Sequence, residues 1–240
     1  MTTRGDGAGR RRDAVVTAPF ASIPVRGRIT VPSPVHGVSD ELAEAALTAV
    51  LLAGVVTGGT VSARAPLPQQ VLRTVRCSVA ETGAYVVSSA AGLTATSRAT
   101  AGEVTSFRCP VPDHLVGLYA VAAARASATC VLTPRGGGAT ETAATLVRLG
   151  LCARGAGGSV VIEPGFVGGD GVIDHAGDIY LVLATLLVGL LRFGTRIIDT
   201  APLDMWMPDF IDSWSALLVA DEFLLPGSAL VPSDYIMRRP

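Results

Sequence analysis

Three stretches of this chain, residues 43–53, 115–124 and 179–191, are apolar on nearly every helical face. A helix without a polar side is buried on all sides, so the pattern predicts interior helices near residues 41–54, 114–126 and 178–191. The first has Ser39 and Asp40 as cap candidates and Glu41 and Glu44 in its opening turns, the acidic start that a helix N-terminus favours. Shorter runs that alternate apolar and polar residues surround these helices and read as strands with one face in solvent.

The pattern recurs. From about residue 28 to 97 it runs strand (28–31), Pro32 and Pro34, the first interior helix, a Gly58-Gly59 turn and a strand (60–64). A helix (66–82) closed by Gly83 and two short strands near 84–88 and 93–96 complete this unit. From about 106 to 165 it runs a strand near Phe107, Pro110 and Pro112, the second interior helix and a strand (128–133). A helix (139–149) closed by Gly150 and a strand (159–163) follow. From about 172 to 218 it runs strand, Asp174, the third interior helix, Gly194, strand (195–199) and a last helix (208–218). Self-similarity at this period means one supersecondary unit used three times. The expected fold is α/β, an inside-out barrel of three βαβαββ-type repeats, with helices within and small sheets outside about a pseudo-threefold axis. It occupies one domain over residues 14–220, between a disordered basic tail at 1–13 and a C-terminal tail at 221–240.

Composition narrows the function classes. At 49% hydrophobic and 16% charged residues a sizeable core is assured. A net charge of −1 makes no case for a nucleic-acid partner. All 19 basic residues are Arg, so this chain supplies no lysine ammonium or Schiff base. Cys77, Cys109, Cys130 and Cys152 are far apart with no C-x-x-C pair, which argues against structural zinc or a redox dithiol and for free thiols in a reducing cytoplasm. The longest apolar run, residues 179–191, is 13 long, too short to cross a bilayer. The Arg-rich start lacks the apolar core of a secretory signal. No metal or cofactor is expected.

The histidines carry the candidate chemistry. His36, His114 and His175 are the only three, and each stands where a repeat's first helix begins. If the repeats pack alike, these ends share one rim with Asp40, Asp113 and Asp174. Asp113, after Pro112, is an acid–base candidate and equally an ordinary helix cap. Asp174 and His175 open the third helix under the same two readings. Trp206 and Trp214 read as a hydrophobic clamp on the last helix. Gly136-Gly137-Gly138 and the cluster Gly155, Gly157 and Gly158 fit no phosphate-loop pattern and read as turns.

Residues 174–218 combine Asp174-His175, a buried helix, a strand, an acidic turn and Pro208-Asp209-Phe210 opening a helix. This order resembles the final repeat of the enolpyruvyl transferases, the family of EPSP synthase. The opening, Ala14-Val15-Val16 and then Gly27-Arg28-Ile29-Thr30-Val31-Pro32, is similar to the start of that family. The resemblance covers most of residues 14–218 and implies an inside-out α/β domain. It makes Asp113 the counterpart of a Pro-Asp carboxylate that acts as base and acid, and Glu141-Thr142 the remnant of a Lys-Glu-Ser/Thr-Asp-Arg motif. The family's anion-binding cations fall on Val35, Asp40, Ala176 and Met205, so phosphoenolpyruvate transfer is not expected.

The resulting expectation is a divergent, cytoplasmic enzyme of specialised metabolism. It works by acid–base chemistry (transfer, elimination or cyclisation) on a small anionic or polyhydroxylated, shikimate- or sugar-like substrate. Asp113, Asp174, His175 and Glu141 are its catalytic candidates, and His36, His114, Arg135 and Arg28 its substrate-binding ones. Since the family has two such domains and this chain has residues for one, a homodimer or a second half-length homologue is the expected partner. The alternative is a non-catalytic half-domain partner, a pseudoenzyme, of another such protein.

Overall fold

A computed structural model describes residues 14–16, 24–34, 39–90, 92–98, 104–167, 172–174, 177–192, 195–198 and 200–219. The first unit is strand β2 (Arg26–Thr30), helix α1 (Asp40–Thr57), β3 (Thr60–Arg64), α2 (Gln69–Glu81), β4 (Tyr85–Ser89) and β5 (Gly92–Thr96). The second is β6 (Arg108–Val111), a 3-10 turn (Asp113–Leu115), α3 (Val116–Ala123), β7 (Cys130–Pro134), α4 (Ala139–Arg148), β8 (Leu151–Ala156) and β9 (Ser159–Phe166). The third is β10 (Val172–Asp174), α5 (Ile179–Leu191), β11 (Thr195–Ile198), α6 (Ala201–Trp206) and α7 (Phe210–Val219), and β1 (Ala14–Val16) joins it from the start of the chain.

The first two units build sheets of one topology. Their orders are β2-β3-β5-β4 and β6-β7-β9-β8, each with a parallel pair followed by two antiparallel pairs. The third sheet repeats the parallel pair with β10 and β11, and β1 lies antiparallel to β11. Strand β1 thus takes the place that β5 and β9 hold in the other sheets.

The interior helices are where their patterning puts them. Every residue of α1 is buried except Asp40, Glu41 and Glu44, all at its N-terminal end. All of α3 but Gly117 is buried, as is α5 from Val182 to Leu190. The three helices pack on one another. At Gly117 a Cβ would stand 3.1 Å from the Ala184 Cβ, so the missing side chain sets the approach of α3 to α5. Helix α1 stops at Gly58, which takes the left-handed φ of 78° that glycine adopts without steric cost. Thr57 then ties this end to the sheet: its Oγ1 accepts from the Val25 N–H at 2.9 Å and donates to the Ala53 carbonyl at 2.7 Å.

The structure differs from the pattern in five places. Asp174 ends strand β10 opposite Ile198, and Asp178 caps α5 instead, because Gly177 at φ 81° turns the chain between them. Helix α3 stops at Ala123, short of 126, where Ala126 bridges to Val104 and the Ala124 carbonyl accepts from the Gly165 N–H. Strand β8 was not expected; Gly157 and Gly158, both at positive φ, form the two-residue turn that pairs it with β9. Helix α6 replaces part of the acidic turn. Of the two tryptophans only Trp214 is buried, against Phe210 with ring centroids 6.1 Å apart, whereas Trp206 is exposed. Among the described residues no helix is long and apolar enough to cross a membrane.

Candidate functional site

The N-terminal ends of α1, α3 and α5 meet at one open cleft of about 890 Å³. Helix α1 brings Glu41 and Glu44, the 3-10 turn brings Asp113 and His114, and the start of α5 brings Asp178, Tyr180 and Leu181. Helix α2 walls one side with Gln70, Val71 and Thr74, and Arg135 enters from the loop after β7. A helix N-terminus carries about half a positive charge, so acidic residues belong at all three ends.

His114 is the junction. Its Nε2 stands 3.4 Å from Glu44 Oε2, with both side chains 13% exposed. Its ring lies 5.5 Å from that of Tyr180, tilted by 48°. A carboxylate on one ring nitrogen orients the imidazole and leaves the other nitrogen to exchange a proton. The Tyr180 phenol is pushed up first by burial, then by the Glu41 and Asp178 carboxylates, with a hydrogen bond to Ser39 working against them. It therefore keeps its proton and acts as a donor near neutral pH.

Asp113 sits exposed beside this pair. Its Oδ1 accepts the Gly136 N–H at 3.0 Å. Gly136 has no space for a Cβ, which would run into the same carboxylate. Pro112, with ψ 142°, aims the chain so that Asp113 starts the turn. Asp178 Oδ1 accepts from the N–H groups of Tyr180 and Leu181 at 2.8 and 3.3 Å. Among the described residues Arg135 is the single arginine lining the cleft.

Of the sequence candidates, the cleft gathers Asp113, His114 and Arg135. Glu141 is exposed on the first turn of α4 and Arg28 is exposed on β2; neither lines the cleft. Asp174 contributes its backbone to β10, its side chain lying outside the described residues, and His36 and His175 lie wholly outside them. Sequence reasoning missed Glu44, Tyr180 and Asp178 as site residues. Glu44 had a signal, being the last charged residue before an uninterrupted apolar helix. Asp178 had another, standing directly before an apolar run. Tyr180 had none.

Two of the four cysteines are poor nucleophiles. Burial first, then Glu81 and Cys130, pushes the Cys109 thiol up to about 11, and burial raises Cys130 as well. Among the described residues no three His, Cys, Asp or Glu side chains come together as metal ligands.

This arrangement of sheets and buried helices is, at the level of fold, that of the enolpyruvyl transferases. The crystal structure of the enolpyruvyl transferase NikO from Streptomyces tendae matches 72% of this chain with a TM-score of 0.57 at 15% identity. The EPSP synthase from Acinetobacter baumannii also matches 72% of the chain, with a TM-score of 0.47 at 19% identity. The chain spans 42% and 43% of those two proteins, less than half of either. No protein-family model and no curated protein sequence matches it.

Proposed function

We propose that this chain is a divergent enzyme with an EPSP synthase-like fold that performs acid–base chemistry on a small cyclic, hydroxylated molecule. The reading includes the finer architecture: three repeats forming an inside-out α/β barrel with α1, α3 and α5 as its core. The observation that carries it is the convergence of three buried-helix N-termini on one cleft holding Asp113 and the Glu44–His114 pair. Asp113 exchanges a proton with a ring substituent. His114, oriented by Glu44, serves the opposite side of the ring, and Tyr180 donates a hydrogen bond to a hydroxyl. Such groups contribute about 10²–10⁴-fold each. Asp174 and His175 stay in the proposal as further acid–base candidates from the third repeat, as do Glu141, His36 and Arg28 in their assigned roles. A cytoplasmic setting and a place in specialised metabolism belong to the same reading.

The test is a mass-spectrometric screen of ring polyols (shikimate, quinate, myo-inositol) for turnover, followed by Asp113→Asn on whichever one reacts. Asn keeps an Oδ1 for the Gly136 N–H, so melting should stay nearly unchanged while turnover falls about 10²-fold. Full turnover by the variant removes Asp113 from the mechanism.

One observation favours a second reading, a non-catalytic partner. The chain spans less than half the length of NikO, and the resemblance to the family puts two of its cations at Asp40 and Met205, the latter 59% exposed. A homodimer, or a complex with another half-length homologue, would then complete the cleft. Native mass spectrometry of the chain alone separates a monomer from a self-completed dimer.

A further inference from the structure

Burial alternates along β2, β3 and β5, so these strands turn every second residue to solvent. Their register sets Arg26 beside Thr60, Arg28 beside Ser62 and Thr30 beside Arg64. Arg26, Arg28 and Arg64 therefore stand on one outward face, and all three are exposed. Arg26 and Arg28 are two residues apart along β2, roughly 7 Å. Arg64 lies two residues further on and one strand over. Strands β2, β3, β4 and β5 contain no Asp or Glu. Among the described residues none of the three arginines forms an ion pair.

The sheet β6-β7-β9-β8 has the same topology but treats its charge differently, with Arg154 on β8 standing 4.0 Å from Glu163 on β9. A charge on an edge strand also guards against stray pairing, which accounts for Arg26 and Arg28 on β2. It does not account for Arg64, because β3 is an interior strand. Beyond the arginines, the cross-strand hydroxyl pairs Thr60–Thr96 at 3.2 Å and Ser62–Thr94 at 2.8 Å make the middle of the face polar. The charge calls for an anionic partner, and the surroundings say which kind. Single-stranded nucleic acid needs aromatic rings to stack on beside the cations. The exposed Tyr85 is on β4, three strand spacings or about 14 Å from β2. A net charge of −1 also gives a long polyanion no general attraction. An extended peptide, by contrast, repeats its side chains on one side every two residues, at the spacing of the strand beneath it. Its carboxylates suit the two-pronged guanidinium.

We propose that the outward face of the β2-β3-β5-β4 sheet is a docking surface for an extended acidic peptide segment of a partner protein, whose carboxylates at alternate positions meet Arg26, Arg28 and Arg64. This surface is independent of the cleft and of the chemistry assigned to it.

The experiment is fluorescence anisotropy of the full chain at low salt with three labelled probes of about ten units each: a peptide alternating Asp and Thr, one alternating Asn and Thr, and an oligothymidylate. The Asp-Thr peptide should bind saturably and at least about tenfold more tightly than the Asn-Thr peptide, and added salt should weaken it. Exposed Arg–carboxylate pairs are individually weak, so Arg28→Gln and Arg64→Gln should each cost about two- to fivefold in affinity. The triple Arg26→Gln, Arg28→Gln, Arg64→Gln variant should lose about tenfold or more. Arg108→Gln, exposed on β6 of the sister sheet, should bind as the unaltered chain does. Melting curves establish that the variants are folded, which substitutions at exposed positions allow. Equal binding of the two peptides, no saturable binding at millimolar peptide, or unchanged affinity in the triple variant overturns the proposal. So does a loss in Arg108→Gln as large as that in Arg28→Gln, which would mean diffuse charge and not this face. Tighter binding of the oligothymidylate than of the Asp-Thr peptide overturns it in favour of a nucleic-acid surface.

Discussion

Gly136 and Asp113 share one volume: the backbone N–H of the first holds the carboxylate of the second, and a Cβ at 136 would occupy the carboxylate's place. The loop is exposed, so little core packing depends on it. Gly136→Ala should therefore cost at most about 1 kcal/mol of stability, the worth of one ordinary hydrogen bond. Its effect on the site should be larger, because the Asp113 carboxylate must leave its present position. The expected result is near-normal urea denaturation with ligand binding or turnover reduced about tenfold or more. Denaturation shifted by several kcal/mol with unchanged binding would show that the loop matters to the fold and not to the site.

Helix α1 shows how one missing side chain fixes the distance between two elements. A Cβ at Gly54 would lie 2.9 Å from Val61 Cγ2 and 3.1 Å from the Val61 backbone nitrogen, so α1 rests directly on β3. Ala at this position gains about 1 kcal/mol of helix propensity but overpacks a buried seam, at a cost of about 1–3 kcal/mol. The cost should win, and urea denaturation of Gly54→Ala should show a net loss of roughly 1 kcal/mol; a gain would mean the seam is looser than its distances. The burial of α1, α3 and α5 was legible in the sequence because a helix with no polar face has one environment open to it. Element ends were less so. Asp174 and Asp178 both look like caps, and the choice fell to Gly177, whose positive φ turns the chain after β10. Strand β8 lacks clear alternation, with Gly155 within it. The site was half legible: Asp113 and His114 carry a helix-start pattern, whereas Tyr180 belongs to the cleft only because α5 packs beside α1 and α3.

For the whole molecule, the fold and the charges lead to different expectations. The likeness to NikO at 15% identity is a likeness of fold, and a fold does not specify its reaction. Phosphoenolpyruvate is a polyanion that needs charged clamps, each worth about 1.5–3 kcal/mol. The sequence resemblance to the enolpyruvyl transferases would put two such cations at Asp40 and Met205, one acidic at the start of α1 and the other exposed on α6. Two absent clamps weaken binding by about 10²–10⁴-fold, before any repulsion from Glu41, Glu44, Asp113 and Asp178. Calorimetry of the full chain with millimolar phosphoenolpyruvate should therefore record no saturable heat, at low salt as at high. Arg135 is the one described cation in position to reverse this result. Micromolar binding that disappears in Arg135→Gln would mean that a single relocated guanidinium has restored an anion site among the carboxylates, and the acidic cleft would then have to be read as a transferase site after all.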